Sequence, residues 1–146
     1  DSINLGFMAS STSGWGDSSL LCGNSLLAWS SSGSNCQQNL ATIAMMADVL
    51  RSKGIHWVII NFPMSPYYKN TECYGYCGPP MQTAQDIILN LNALERLNAF
   101  FHFYDAHTDG INDYVYEDFY DDHHLSGQGA VKLSRRVDSI VHTILK

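Results

Sequence analysis

Near its C-terminal end the chain reads Tyr120-Asp121-Asp122-His123-His124-Leu125-Ser126, and two of these residues have the types and spacing of a general base and the acid that orients it. A carboxylate three residues ahead of an imidazole, both in a turn, can reach the Nδ1 hydrogen of the ring. It then fixes the tautomer and leaves Nε2 to take a proton from a nucleophile. Asp121 and His124 are therefore the candidate catalytic pair. An isolated Asp-x-x-His pair is a weak signal, but this one gains from its surroundings. Leu125 can anchor the turn in a core, Ser126 can cap a following helix, and Gly129-Ala130 lets that helix pack closely.

Neighbouring residues have other readings. Adjacent histidines on a turn point apart, so His123 is read as solvated, the sharper alternatives being exchange of roles with His124 or a two-histidine metal site with Asp121 or Asp122. The acidic stretch Glu117-Asp118-x-x-Asp121-Asp122, with Asp105, Asp109 and Asp113 upstream, has the composition of a calcium loop. It lacks the spaced ligands and closing bidentate Glu of an EF-hand. No metal and no cofactor is assigned.

The elements that must hold this pair follow from hydrophobic period. Residues 3–9 read as a strand that gives way to the turn formers Ser10-Ser11-Thr12-Ser13-Gly14-Trp15-Gly16. A strand so near the start is read as the mark of a fragment or a mature form. Residues 23–35 form a long loop rich in Ser, Gly and Asn. From Gln37 to Lys53, Leu40, Ile43, Ala44, Ala47 and Leu50 recur at helical spacing and Gly54 stops the helix. Ile55 to Phe62 is a nearly continuous apolar run, as in a strand covered on both faces, ended by Pro63.

The Pro-, Tyr- and Cys-rich segment from Met64 to Pro80 is irregular, after which Ile87, Ile88, Leu91, Leu94 and Leu97 place a helix over residues 83–98. Phe100 to Tyr104 reads as a strand closed by Asp105. The last helix follows Ser126, with Val131, Leu133, Val137, Ile140, Val141 and Ile144 facing inward. His56 and His102 fall within strands and read as core-edge residues. This order implies one α/β domain over residues 1–146 with a largely parallel sheet, whose ligands would sit where loops leave the carboxyl ends of the strands.

Taken together, Asp121-x-x-His124-Leu125-Ser126-x-x-Gly129-Ala130 resembles the last signature block of the SGNH (GDSL-like) hydrolase superfamily, which also places a helix and a buried strand ahead of it. Asn4-Leu5-Gly6-Phe7-Met8-Ala9-Ser10 resembles the family's second block, an Asn-led strand whose end supplies an oxyanion-hole N–H from a Gly that aligns with Ala9. The resemblance implies a three-layer flavodoxin-like sheet, mostly parallel and here incomplete. It implies a serine esterase or acyl hydrolase in which Asp121 orients His124 and the backbone near Ala9 holds the oxyanion. There are departures. On this alignment the block with the nucleophilic Ser belongs before Asp1. Within the chain Ser10, at a strand end with Gly14 and Gly16 following, is the candidate nucleophile. Ser18, in Gly16-Asp17-Ser18-Ser19-Leu20, lacks a strand running into it. The family's Gly-x-Asn block has only Cys22-Gly23-Asn24 as a counterpart, and no β-rich run precedes it.

Composition bounds the partners. Of 146 residues, 45% are hydrophobic and 15% charged, which describes a globular chain rather than a disordered one. A formal charge of −6 argues against a broad phosphate-binding surface, and Arg135-Arg136 is the only basic cluster, so nucleic acid is not an expected partner. No apolar run approaches the roughly 18–20 residues that span a bilayer, and no membrane partner is expected. Cysteines Cys22/Cys36 and Cys73/Cys77 suggest two disulfides and a secreted, periplasmic or cell-surface protein. The alternatives are four free thiols in a cytosolic protein, or a zinc site on Cys73-x-x-x-Cys77.

The expected partner is a small-molecule or carbohydrate ester, because Tyr67, Tyr68, Tyr74 and Tyr76 crowd a loop at the ligand-binding edge and could stack on sugar rings. They could equally pack that loop around Cys73 and Cys77. A second copy of the chain is a further candidate partner, since a three-stranded sheet leaves open edges. The rival to an enzyme is a noncatalytic carbohydrate- or protein-binding module, a truncated remnant of such a hydrolase.

Overall fold

The computed structural model describes residues 35–66, 74, 79–108, 112–121 and 124–146. The expected strand over residues 3–9, with Ala9, Ser10 and Ser18, lies outside these residues, as do Asn24, Cys22, Cys73, Cys77, Asp122 and His123. Cys36 is a half-buried free thiol.

Helix α1 (Cys36–Ser52) turns its apolar stripe inward, with Ala47 buried and Leu40, Ile43 and Leu50 half-buried beside it. Its end is the one that Gly54 implies. Gly54 adopts φ 67°, its N–H donates to Arg51 O at 3.0 Å, and Ile55 N–H donates to Leu50 O at 3.0 Å. That pair of bonds is a Schellman stop, which needs the left-handed conformation glycine adopts at no steric cost.

The chain then enters β1 (Trp57–Asn61), crosses over through α2 (Met81–Leu97) and returns in parallel as β2 (Phe101–Asp105). Trp57 pairs with Phe101 and Asn61 with Asp105 at the two ends of the register. Between α2 and β2, Asn98 is buried and its Oδ1 accepts from Phe100 N–H at 3.0 Å, which bends the chain back toward the sheet. Glu95 of α2 reaches over to accept Phe103 N–H at 3.2 Å, satisfying a backbone donor of β2.

One face of this strand pair builds the core. Ala47, Leu91 and Phe101 are buried together, with Trp57, Ile59, Phe103, Leu40, Ile43, Ile87 and Leu94 packed around them. Both α1 and α2 thus cover the face that alternation assigns to Trp57, Ile59, Phe101 and Phe103. Helix α3 (Gly127–Ile144) borders the alternate residues: Tyr104 shares a cavity with Gly127 and Gln128, and His102 shares another with Ser139, Ile140, Thr143 and Ile144. The helix therefore runs antiparallel to β2, with its N-terminus at the carboxyl ends of the strands.

Several expectations need correction in detail. Ile55 and Phe62 are exposed and flank a strand of five residues, so the apolar run is longer than the strand it contains. His56 lies just ahead of β1 rather than in it. Leu97 is 81% exposed because it falls in the last turn of α2, beyond the reach of the sheet. In α3 the inward line is Leu133, Val137, Ile140 and Ile144, while Val131 and Val141 are exposed. Val131 is two residues from Leu133, about 200° around the helix, so the two cannot share a face.

Candidate functional site

The turn with Asp121 and His124 is fastened on both sides. Phe119 and Leu125 form an antiparallel bridge, and Tyr120 N–H donates to His124 O at 3.0 Å. Just outside it, Ser126 N–H donates to Asp118 O at 2.8 Å. Ser126 is the N-cap of α3: its Oγ accepts from Gly129 N–H at 3.2 Å and donates to Glu117 O at 2.7 Å. Gly129 is buried against the preceding segment, where a Cβ would stand 2.0 Å from Asp118 O. The cap and the close approach expected of Ser126 and Gly129 are both present.

Within that frame the carboxylate of Asp121 holds His124 twice. Oδ1 accepts the backbone N–H of His124 at 2.7 Å, and Oδ2 lies 2.7 Å from His124 Nδ1. Nδ1 is therefore the ring nitrogen that carries hydrogen toward the acid, and Nε2 is the one on the far side. The imidazole is exposed, with 57% of its side chain in solvent against 27% for Asp121, and the Tyr120 ring tilts over it at 5.9 Å. Because α3 begins directly after the turn, the pair lies at the carboxyl edge of the strands.

Beneath the turn, Asp118 is buried and fully engaged. Its carboxylate accepts from Lys132 Nζ at 2.9 Å, Val115 N–H at 3.1 Å and Gln128 Nε2 at 3.2 Å. Burial works to raise its pKa, but these donors outweigh it and hold the carboxyl below the usual range. Asp113, bonded to Arg136, is likewise held ionised by that guanidinium, and Lys132 and Arg136 both stand over the Tyr114 ring. These charges brace α3 against the loop. The cavity between Tyr104 and α3, about 890 Å³, is lined by Gln128, Lys132, Arg135 and Arg136 and opens beside Gly127.

A second polar group occupies the same edge and was not visible in the sequence. Asp105 Oδ1 accepts from Asn61 Nδ2 at 2.7 Å, Tyr74 Oη at 3.2 Å and His107 N–H at 3.1 Å. Asn61 also donates to Tyr74 Oη. Asn61 and Asp105 end their strands in register, so the bonds tie the two carboxyl ends together. Tyr74 is buried, its ring edge-on to His107 at 4.2 Å. Its ring is thus not offered to a sugar, and of the two readings of the tyrosine loop, Tyr74 follows the packing one. Tyr67, Tyr68 and Tyr76 lie outside the described residues. The signals that would have found this group are Asn61 interrupting an apolar run and Asp105 closing the next one.

His107 is fully buried, and its Nδ1 accepts Met64 N–H at 3.4 Å. Burial pushes the imidazole down to about 4, with Asp105 pulling weakly the other way. The folded protein thus binds this proton less readily than the unfolded chain, so the stabilisation is complete above about pH 6.5 and is lost as pH falls toward 4. The expected slope is about 1.4 kcal/mol per pH unit across that window. Urea unfolding from pH 7 to 4 should show it, and His107→Asn, whose Oδ1 can still accept Met64 N–H, should flatten it. An equal slope in both proteins would show that other groups govern acid stability.

Among the described residues no group of three or more His, Cys, Asp or Glu side chains gathers to hold a metal ion, and no helix is long and apolar enough to cross a membrane. What the turn can do chemically is present an imidazole of fixed tautomer at a strand-end edge, next to a braced helix N-terminus. Comparison of the chain with family models, with curated proteins and with solved structures returned no match.

Proposed function

We propose that the chain is an SGNH-type serine esterase or acyl hydrolase domain, or the C-terminal portion of one, in which Asp121 orients His124 as general base. The observation that carries this reading is the 2.7 Å contact between Asp121 Oδ2 and His124 Nδ1 in a turn fastened at both ends. It is the geometry a base needs before any nucleophile arrives: tautomer chosen, ring orientation held, Nε2 turned from the acid. A parallel βαβ pair with helices bordering alternate residues of β2 supports the finer reading of a three-layer flavodoxin-like sheet.

In this mechanism His124 Nε2 takes the hydroxyl proton of a serine, for which Ser10 is the candidate. The serine oxygen attacks an ester carbonyl, and backbone N–H groups near Ala9 stabilise the oxyanion. The protonated imidazole then returns its proton to the leaving alcohol, and water repeats the sequence on the acyl-enzyme. The acylated-carbohydrate substrate rests on the tyrosine loop and loses Tyr74 as a stacking surface.

Hydrolysis of para-nitrophenyl acetate by this chain, with His124→Ala beside it, tests the proposal. The wild-type chain should release nitrophenolate with saturation, and the variant should fall to the rate of buffer. Activity that survives the substitution removes His124 from the mechanism.

A further inference from the structure

At the opposite edge of the sheet two more imidazoles meet. His56, just ahead of β1, and His102, the second residue of β2, bring Nδ1 and Nε2 to 2.9 Å of each other. The rings lie 5.2 Å apart and 22° from parallel, and Phe100 packs against His56 at 4.6 Å. Residues 46 apart in the chain meet there because the register sets Val58 opposite His102.

The surroundings of His102 favour its neutral form. Burial lowers the pKa of His102, the neighbouring His56 lowers it further, and Glu95 opposes both. Neutral imidazole is the ligand form, and imidazole suits copper, nickel and zinc. Two nitrogens about 2.9 Å apart, each roughly 2.05 Å from a common ion, subtend an angle of about 90° there. That is the angle between neighbouring positions of a tetragonal or octahedral ion, whereas tetrahedral zinc would want the nitrogens roughly 3.3 Å apart. The contact is a hydrogen bond, so the ion replaces the hydrogen between the nitrogens and sits off the line joining them, and the exposed His56 ring tilts to aim Nδ1 at it. Glu95, bonded to Phe103 N–H through Oε1, lines the same cavity of about 370 Å³ as His102 and adds negative charge beside it.

We propose that His56 and His102 form a two-imidazole chelating site for Cu²⁺ or Ni²⁺ at the amino edge of the sheet, separate from the Asp121–His124 turn. Water completes the coordination sphere. The site is open, so the ion exchanges freely, and ester hydrolysis by His124 does not require it.

The test is titration of the full chain with CuSO₄ alone at pH 7.5, followed by calorimetry and by electron paramagnetic resonance. Wild type should bind one equivalent with a tetragonal spectrum carrying the splitting of two imidazole nitrogens. His56→Gln and His102→Gln should each weaken binding about tenfold or more, because each breaks the chelate. His142→Gln, at an exposed histidine of α3, should change nothing. Unchanged affinity in both of the first variants, or a wild-type spectrum with a single nitrogen, overturns the site. The single-nitrogen outcome overturns the site without any variant, so a misfolded substitution does not shield the proposal.

Discussion

Asp121→Asn is expected to lower the kcat for para-nitrophenyl acetate on the order of 10⁴-fold while the protein keeps its fold. The asparagine Oδ1 can still accept the backbone N–H of His124, as the aspartate Oδ1 does at 2.7 Å, so the turn has no reason to open. The change falls on the second contact. An amide Nδ2–H would replace the acceptor that now lies 2.7 Å from Nδ1. Nδ1 must then become the acceptor and Nε2 the carrier of hydrogen. A base whose outward nitrogen already holds a proton cannot take one from a serine. The imidazolium formed in the transition state would also lose its neighbouring negative charge. A rate within threefold of wild type, with an unchanged melting curve, would mean that the contact has no part in turnover.

Gly129→Ala is expected to destabilise the domain by roughly 3 kcal/mol, lowering Tm by roughly 10 °C for a chain of this size. The sign is informative, because the same change inside an ordinary helix stabilises by up to about 1 kcal/mol. Here the added methyl would stand 2.0 Å from Asp118 O and 3.0 Å from the Leu125 side chain. The first is backbone, and the Ser126 N–H bond to that same carbonyl holds it in place. To make room, α3 must move away from the loop. Asp118 would then part from Lys132 and Gln128 while still buried, which is the costly way to lose an ion pair. Thermal unfolding by circular dichroism measures this, and a Tm equal to or above wild type would refute the packing argument.

Much of the scaffold was legible from local rules. The apolar period and Gly54 marked α1 and its stop, and Ser126 with Gly129 marked the start of α3, because each depends on neighbours within a turn. Asp121 and His124 were legible for the same reason: three residues apart, their contact is set by a single turn. The group of Asn61, Tyr74, Asp105 and His107 was not, since it depends on the register of two strands and on a loop folding back over their ends. The His56–His102 contact is likewise a product of strand pairing, and in the sequence each read only as a core-edge residue of its own strand. Hydrophobic period also overstated the inward face of α3, because it counts apolar residues without asking which of them the sheet can reach.

The carrier of His124 and the first turn of α3 are one mechanical body. The Phe119–Leu125 bridge, the Ser126 cap and the contact of Gly129 with Asp118 join them. A displacement of the helix along the groove beside Tyr104 therefore drags the imidazole with it. On the proposed reading of His124, an occupant of that groove that shifted the helix would re-aim the imidazole from a distance without touching it.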